Sequence, residues 1–404
     1  MNNRRTTLSF IFFFTIYTIG LSISPCIGAE NLKAGIVLAN GNGNILYEQN
    51  RKKQFVPASI LKILTSLTSI HILGEGYRFP TDYFLDKNSK NLYIKGFGDP
   101  LFISEVISQL CNDIVLKTKT ELIHNIILDQ SYFFEQIHVP GNGNSLNPYD
   151  APVGALCANF NTITFKWNPS KGRFVSAEPQ TPLLLVFHDD IKNTGLKQGR
   201  ITLTKQQSFL YPGLLMKYFF ERNNINVTGS VLLGKFEIKK GKRYSFFSPF
   251  EIKEIVQKLL KFSSNYIANQ LILTIGAKAY GTPATLEKGV KAVELFSKQN
   301  LKLDKIIISE GSGLSRSNMV SPDEMLKILL KFIPFYSLMN KHGNDFFKTG
   351  TLDGVRTRAG YILGNDQRLY PYVIMVNQKN KGYESIRKNL IDRVSQVIKQ
   401  SVSQ

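Results

Sequence analysis

The stretch FVPASILKILTSLTSIHILG, residues 55–74, constrains this chain more than any other. Its spacing predicts a helix from about Ser59 to Gly74. Ile60, Leu61, Ile63, Leu64, Leu67, Ile70, Ile72 and Leu73 cover the whole cylinder with apolar groups. A helix apolar all round is a buried one, so the fold must wrap other layers around it. Lys62 sits in its first turn, and a buried ammonium is costly without partners or a task. Ser59 lies three residues earlier on the same face. In one reading Ser59 is a helix cap and Lys62 snorkels to the surface. In the other, Ser59 is a nucleophile at the positive helix end, and Lys62, its pKa lowered by apolar neighbours, takes its proton.

At 404 residues the chain is long enough for two or three domains. Residues 1–29 read as a secretory signal: Arg4 and Arg5, then the apolar run LSFIFFFTIYTIGLSI, then small residues ending at Ala29. An uncleaved anchor is the alternative. Without that segment the chain keeps 48 basic and 30 acidic residues, a charge of +18. This balance favours anionic partners, including acidic envelope surfaces. No zinc-finger spacing or RNP-like strand supports a nucleic-acid partner. Cys111 and Cys157 remain after export, either as a disulfide or as two buried thiols. The five histidines show no metal-ligand spacing, and neither a metal nor another cofactor is expected.

Residues 33–50 read as a hairpin around Gly-Asn-Gly, and the apolar helix follows. Residues 130–250 are mostly short strands and loops, suggesting a β-rich or mixed unit. SPFEIKEIVQKLLKF, residues 248–262, reads as a helix capped by Ser248 with Pro249 in its first turn. Three more helical patterns follow. DFFKTGTL, VRTRAGYIL and LYPYVIMVNQ then form a meander, and a helix closes the chain. The terminal strands can share one sheet with the middle inserted.

Two further motifs bear on Lys62. Lys348-Thr349-Gly350 occurs once, on an expected strand. It is either an edge strand with a glycine bulge or a backbone that aligns a peptide, with a cation and hydroxyl for a carboxylate. S-x-N occurs at Ser89, Ser145 and Ser263. The first two lie in Asn-rich turns. Ser263-x-Asn265 lies at a helix–helix junction, where the two residues either cap helices or face a cleft. S-x-x-K, S-x-N and KTG in this order and in these elements are the motif set of penicillin-binding proteins and serine β-lactamases.

The chain resembles the D-alanyl-D-alanine carboxypeptidase/endopeptidase family of class C low-molecular-mass penicillin-binding proteins, peptidase family S13. The resemblance rests on VPASILKILTSL, GFGDP, PGNGNSLNPYDAPVGALCANFNT, SSNYIANQLILTIG, ISEGSGLSRSNMVSP and FFKTGTLDGVRTRAGYI, and spans roughly residues 33–378. It implies a β-lactamase/transpeptidase-like α/β (α+β) domain, an antiparallel sheet flanked by helices. β-rich domains would be inserted between the first and second motifs. The expected division is 30–80 and 246–404 for the catalytic domain and 81–245 for the inserted region.

By resemblance, Ser59 would be acylated, Lys62 would accept its proton, Ser263 would relay a proton to the leaving group, and Asn265 would bind the substrate amide and hold Lys62. Lys348 would tune Ser263 and attract the substrate carboxylate, with Thr349, Gly350 and Thr351 along the binding strand. The N–H groups of Ser59 and Thr351 would form the oxyanion hole, and Arg316 would help recognise the stem peptide. Glu310 replaces a usual aspartate, a mild change. Two features bear on stem-peptide selectivity: the PGNGNSLNPY loop has no carboxylate before Asp150, and Asp353 occupies a position that varies with substrate preference. The function implied is an exported serine DD-peptidase of the periplasm or envelope. It would remove terminal D-Ala from stem peptides, cleave D-Ala cross-links, or both, with β-lactams as covalent inhibitors. A catalytically silent wall-binding homologue, a serine β-lactamase and a basic nucleic-acid or membrane binder are the rival readings.

Overall fold

The structure, a computed structural model, describes residues 34–143, 145, 147–237, 242–378 and scattered positions between 383 and 396. The expected signal at 1–29 lies outside the described residues. A six-stranded antiparallel sheet joins both ends of the chain. Its order is Asn340–His342, Asp345–Leu352, Val355–Leu363, Leu369–Val376, Ala34–Ala39, Ile45–Gln49. The amino-terminal strand pairs with the last one, Ala34 opposite Val376 and Leu38 opposite Tyr372. AGIVLA is apolar throughout because both its faces are covered. Alternation sends Val37 and Ala39 into the main helical core and Ala34, Ile36 and Leu38 to the opposite side.

The apolar helix runs Lys62–Leu73, stops at Gly74, and is buried at every position from Lys62 to Ile70. Asn265–Tyr280, Ile252–Phe262 and Pro322–Phe332 surround it. Its start differs from expectation. Ala58–Leu61 is a 3-10 turn, so Ser59 precedes the α-helix and is not its cap.

The second part of the molecule has its own core, built on the helices Ser104–Thr118 and Lys205–Arg222. A five-stranded sheet orders Val231–Leu233, Ile126–Asp129, Leu92–Gly96, Arg78–Leu85 and Tyr244–Glu251. The chain enters it on Arg78–Leu85 and leaves on the antiparallel neighbour Tyr244–Glu251, with Tyr83 opposite Tyr244. A smaller sheet orders Arg173–Ser176, Thr162–Asn168 and Gln198–Thr202. The helix expected from Ser248 begins at Ile252 instead. Residues 248–250 extend the strand through a bulge, where Pro249 needs no ladder N–H, and Glu251 with Glu254 forms the capping box. Cys111 and Cys157 are free, buried in different cores. Burial pushes the Cys157 thiol up to about 12 and Cys111 well above its ordinary value.

Candidate active site

Residues 56–59 are pinned before any chemistry is considered. The Asn377 side chain accepts from Val56 N–H (2.7 Å) and donates to Val56 C=O (3.1 Å). Thr357 Oγ1 donates to the Pro57 carbonyl at 2.7 Å. Ala58 takes a left-handed φ of 50°, which turns Ser59 towards the edge of the sheet. Gly350 and Gly313 permit the close approach this requires. A Cβ on Gly350 would stand 2.8 Å from the Ser59 nitrogen, and one on Gly313 would collide with the Ala58 carbonyl.

Lys62 is fully buried, not snorkelling. Its Nζ lies 2.9 Å from Ser59 Oγ, 2.8 Å from Asn265 Oδ1 and 2.6 Å from the Ser312 carbonyl. Three partners satisfy an ammonium completely, which is what a buried one needs. Desolvation first and the Lys348 charge second, opposed by Glu310, together lower its pKa to about 7. A neutral amine at that pKa can accept the Ser59 proton near physiological pH. Lys348 is itself 2% exposed, donates to the Thr349 carbonyl at 2.7 Å, and is pushed down to about 8 by burial.

Ser263 closes the helix Ile252–Phe262 in a left-handed conformation, φ 55°. Ser264 caps the next helix by accepting from Ile267 N–H. This corner puts Asn265 at the first helical position, aimed at Lys62. Lys62 spends its three hydrogen bonds on Ser59, Asn265 and Ser312, so Ser263 stands in the groove wall beside Asn265 without bonding it. Strand alternation places Lys348 and Gly350 on the buried side and Thr349 and Thr351 on the exposed side. Arg316 is exposed, and its guanidinium holds the Asp353 carbonyl at 2.5 Å, docking it at the end of the same strand.

Two roles escaped the sequence reading. One is the Ser312 backbone carbonyl on Lys62. The other is Glu310, fully buried, which accepts from Ser312 N–H (2.6 Å), Ser315 N–H (3.3 Å) and Asn318 Nδ2 (2.8 Å). The glutamate folds the loop that carries Ser312, and its charge acts on Lys62. Asp150 is a loop staple, accepting from Gly143 N–H (2.8 Å), Ser145 N–H (3.2 Å) and Ser145 Oγ (2.5 Å).

Next to Ser263 and Asn265 the chain makes an unusual turn. Asn159, Phe160 and Asn161 all have positive φ, at 48°, 60° and 53°. Left-handed backbone costs an L-residue about 1–2 kcal/mol. Asparagine tolerates it, and phenylalanine does so rarely. Both asparagines are tied down. Asn159 accepts from Ser104 N–H (2.9 Å) and donates to Ser104 Oγ (2.9 Å) and Tyr211 OH (3.2 Å), while Asn161 donates to the Pro152 carbonyl (2.7 Å).

A serine within hydrogen-bond reach of a buried, low-pKa lysine, beside a helical fold with an antiparallel sheet, defines a serine acyl-transfer enzyme of the penicillin-recognising class. The chain belongs to the D-Ala-D-Ala carboxypeptidase 3 (S13) family, whose model matches residues 25–335. It is 23% identical to the D-alanyl-D-alanine carboxypeptidase DacB of Haemophilus influenzae, over 87% of each chain. The crystal structure of penicillin binding protein 4 from that organism superimposes with a TM-score of 0.69 at 20% identity, covering 92% of this chain and 96% of the other. A predatory peptidoglycan endopeptidase from Bdellovibrio bacteriovorus gives 0.56 at 18% identity, over 91% and 92%. The protein is therefore a serine-type D-Ala-D-Ala peptidase with a penicillin-binding site.

Proposed function

We propose that Ser59 is the acylated nucleophile of an exported peptidase acting on peptidoglycan stem peptides. The observation that carries this reading is the 2.9 Å approach of the fully buried Lys62 Nζ to the half-buried Ser59 Oγ. Lys62 takes the hydroxyl proton as Oγ attacks the carbonyl carbon of the penultimate D-Ala. The Ser59 and Thr351 N–H groups stabilise the oxyanion, each such donor being worth roughly 100–1000-fold in acyl transfer. The proton passes through Ser263 to the departing nitrogen as the C–N bond breaks. D-alanine leaves from a linear stem, or the cross-bridge amine from a cross-link. Water then attacks the ester carbon, and Ser59 recovers its proton. Lys348, with Thr349 and Thr351, attracts the terminal carboxylate, Asn265 orients the substrate amide, and Arg316 contacts the stem.

In this reading residues 30–80 and 246–404 form the catalytic domain and 81–245 an accessory region, consistent with paired strands at the junction. Residues 1–29 direct export to the periplasm or envelope, where the +18 charge favours anionic surfaces. Among the described residues no helix is long and apolar enough to cross a membrane.

The test is to treat the protein and Ser59→Ala with a fluorescent penicillin and with purified sacculi, reading products by mass. Labelling and release of terminal D-alanine, or conversion of dimers to monomers, are expected from the wild type only. A folded wild type that stays unlabelled and inactive sinks the proposal.

A further inference from the structure

Beside the Ser263–Asn265 corner opens a groove of about 680 Å³ whose far wall, across from Ser263 and Asn265, the mechanism above leaves unused. One wall is the Ser263–Ile267 corner, and the other belongs to the inserted region, with Phe160, Glu178 and Arg200. The left-handed Asn159–Phe160–Asn161 turn holds the Phe160 ring between the Tyr266 ring (5.9 Å between centroids) and the Arg200 guanidinium (5.6 Å from the ring centroid). Backbone held in a sparsely populated conformation next to a reactive centre points to a positioning task. Arg200 is held from behind, its Nε donating to Thr162 Oγ1 at 2.8 Å, and among the described residues no carboxylate lies within ion-pair distance of it. Two acids, Glu105 and Glu178, line the groove; the charge of Glu178 acts on Arg200, while its carboxylate is engaged by Thr164 Oγ1 at 2.9 Å. The guanidinium therefore keeps its terminal N–H fork for a ligand, and a planar fork matches a carboxylate.

We infer that this groove is a second peptide subsite, taking the carboxylate-bearing second arm of a cross-linked muropeptide, with Arg200 on the carboxylate and Phe160 against the aliphatic chain. This rests on the proposed function and gives the protein its endopeptidase arm. A linear stem lies along Lys348–Thr351, touches the near wall at Asn265 and leaves the far wall empty. A branched substrate has an additional arm to place, and it is the kind of ligand that fills both.

The experiment compares Arg200→Gln, Arg200→Glu and Arg200→Lys with wild type on a purified cross-linked dimer and on a linear pentapeptide, with penicillin acylation as the control for an intact centre. Loss of a charge-assisted hydrogen bond predicts a roughly 10–100-fold fall in kcat/KM on the dimer for Arg200→Gln, a larger one for Arg200→Glu and partial retention for Arg200→Lys. Linear cleavage and acylation stay within about 2-fold, because neither reaches Arg200 on the far wall. Equal losses on both substrates, or an unchanged rate on the dimer, overturn the inference. So does a wild type that trims linear peptides and leaves dimers intact, an outcome that leaves the proposed function standing. Absence of acylation in the folded wild type strikes the proposed function itself.

Discussion

The floor around Ser59 and the wall of the lateral groove meet at Asn265 and are built on opposite plans. At the floor the buried charged groups are matched: Lys62 has three partners, Glu310 has three donors, and the Val56–Pro57 backbone is tied to the last strands of the sheet. The wall at Phe160 and Arg200 carries half-exposed aromatic and charged groups on a small three-stranded sheet. The floor performs a step whose geometry tolerates little error, and burial amplifies each charge there. The wall meets a flexible ligand from solvent. One fold keeps its reacting groups rigid and its recognition surface open.

The largest test of this contrast removes the floor's cation. Lys62→Met keeps the length and apolar packing of the side chain but deletes the base. General-base loss in such a step is worth roughly 100–10,000-fold, so penicillin acylation measured by stopped flow falls by that factor. The thermal midpoint should fall, since the Ser312 carbonyl and Asn265 Oδ1 lose their donor, and a circular-dichroism melt separates that loss from the loss of the base. Retained acylation would show that Lys62 is structural.

Gly350→Ala tests the rigidity of the floor without touching a reacting group. Its Cβ would press on the Ser59 nitrogen and on Thr357 Oγ1, so the strand must move away from the nucleophile. A displacement near 1 Å costs on the order of 100-fold in rate. Acylation kinetics beside a circular-dichroism melt separate this from unfolding. A variant with unchanged rate would mean that the floor is softer than its contacts suggest.

How much of this was legible in the sequence depends on the range of the interaction. S-x-x-K lies within one turn, so Ser59 and Lys62 could be paired from spacing alone. KTG and S-x-N required the motif order, and the fold then brought Asn265 to Lys62 and Lys348 to the same buried side. The Ser312 carbonyl could not be found that way, because a backbone group has no residue signature and lies 250 positions from Lys62. The 3-10 start at Ala58 was hidden for a similar reason. Its positive φ answers to Gly313, Gly350 and Thr357, far along the chain, which override local helix signals. Ser248-Pro249 carried a good helix-start signature, yet pairing with Arg78–Leu85 kept the segment extended. In ANFNTITF the asparagines announce a turn, but not its left-handed sense nor the ring it presents.

The smallest expected effect is a shift of a pH profile, and it follows from opposed charges. Lys62 must be neutral to accept a proton, so acylation rises with pH through about 7. Lys348 must stay charged to hold a carboxylate, so the rate falls again as pH passes about 8. The profile is a narrow bell, whose limbs belong to a coupled pair of lysines. Glu310 raises the Lys62 pKa, its negative charge favouring the ammonium. Glu310→Gln keeps one acceptor oxygen, enough for Ser315 N–H and Asn318 Nδ2 but not also for Ser312 N–H, and removes that charge, so the acid limb moves to lower pH in a variant whose melt shows it folded. Asp189→Asn is the comparison on the inserted region, where the carboxylate is 89% exposed and screened by solvent. Its limb stays in place. A Glu310→Gln profile that does not move, or moves upward, would mean that the ammonium of Lys62 is governed by Asn265 and the Ser312 carbonyl alone, and that the buried glutamate serves only to fold its loop.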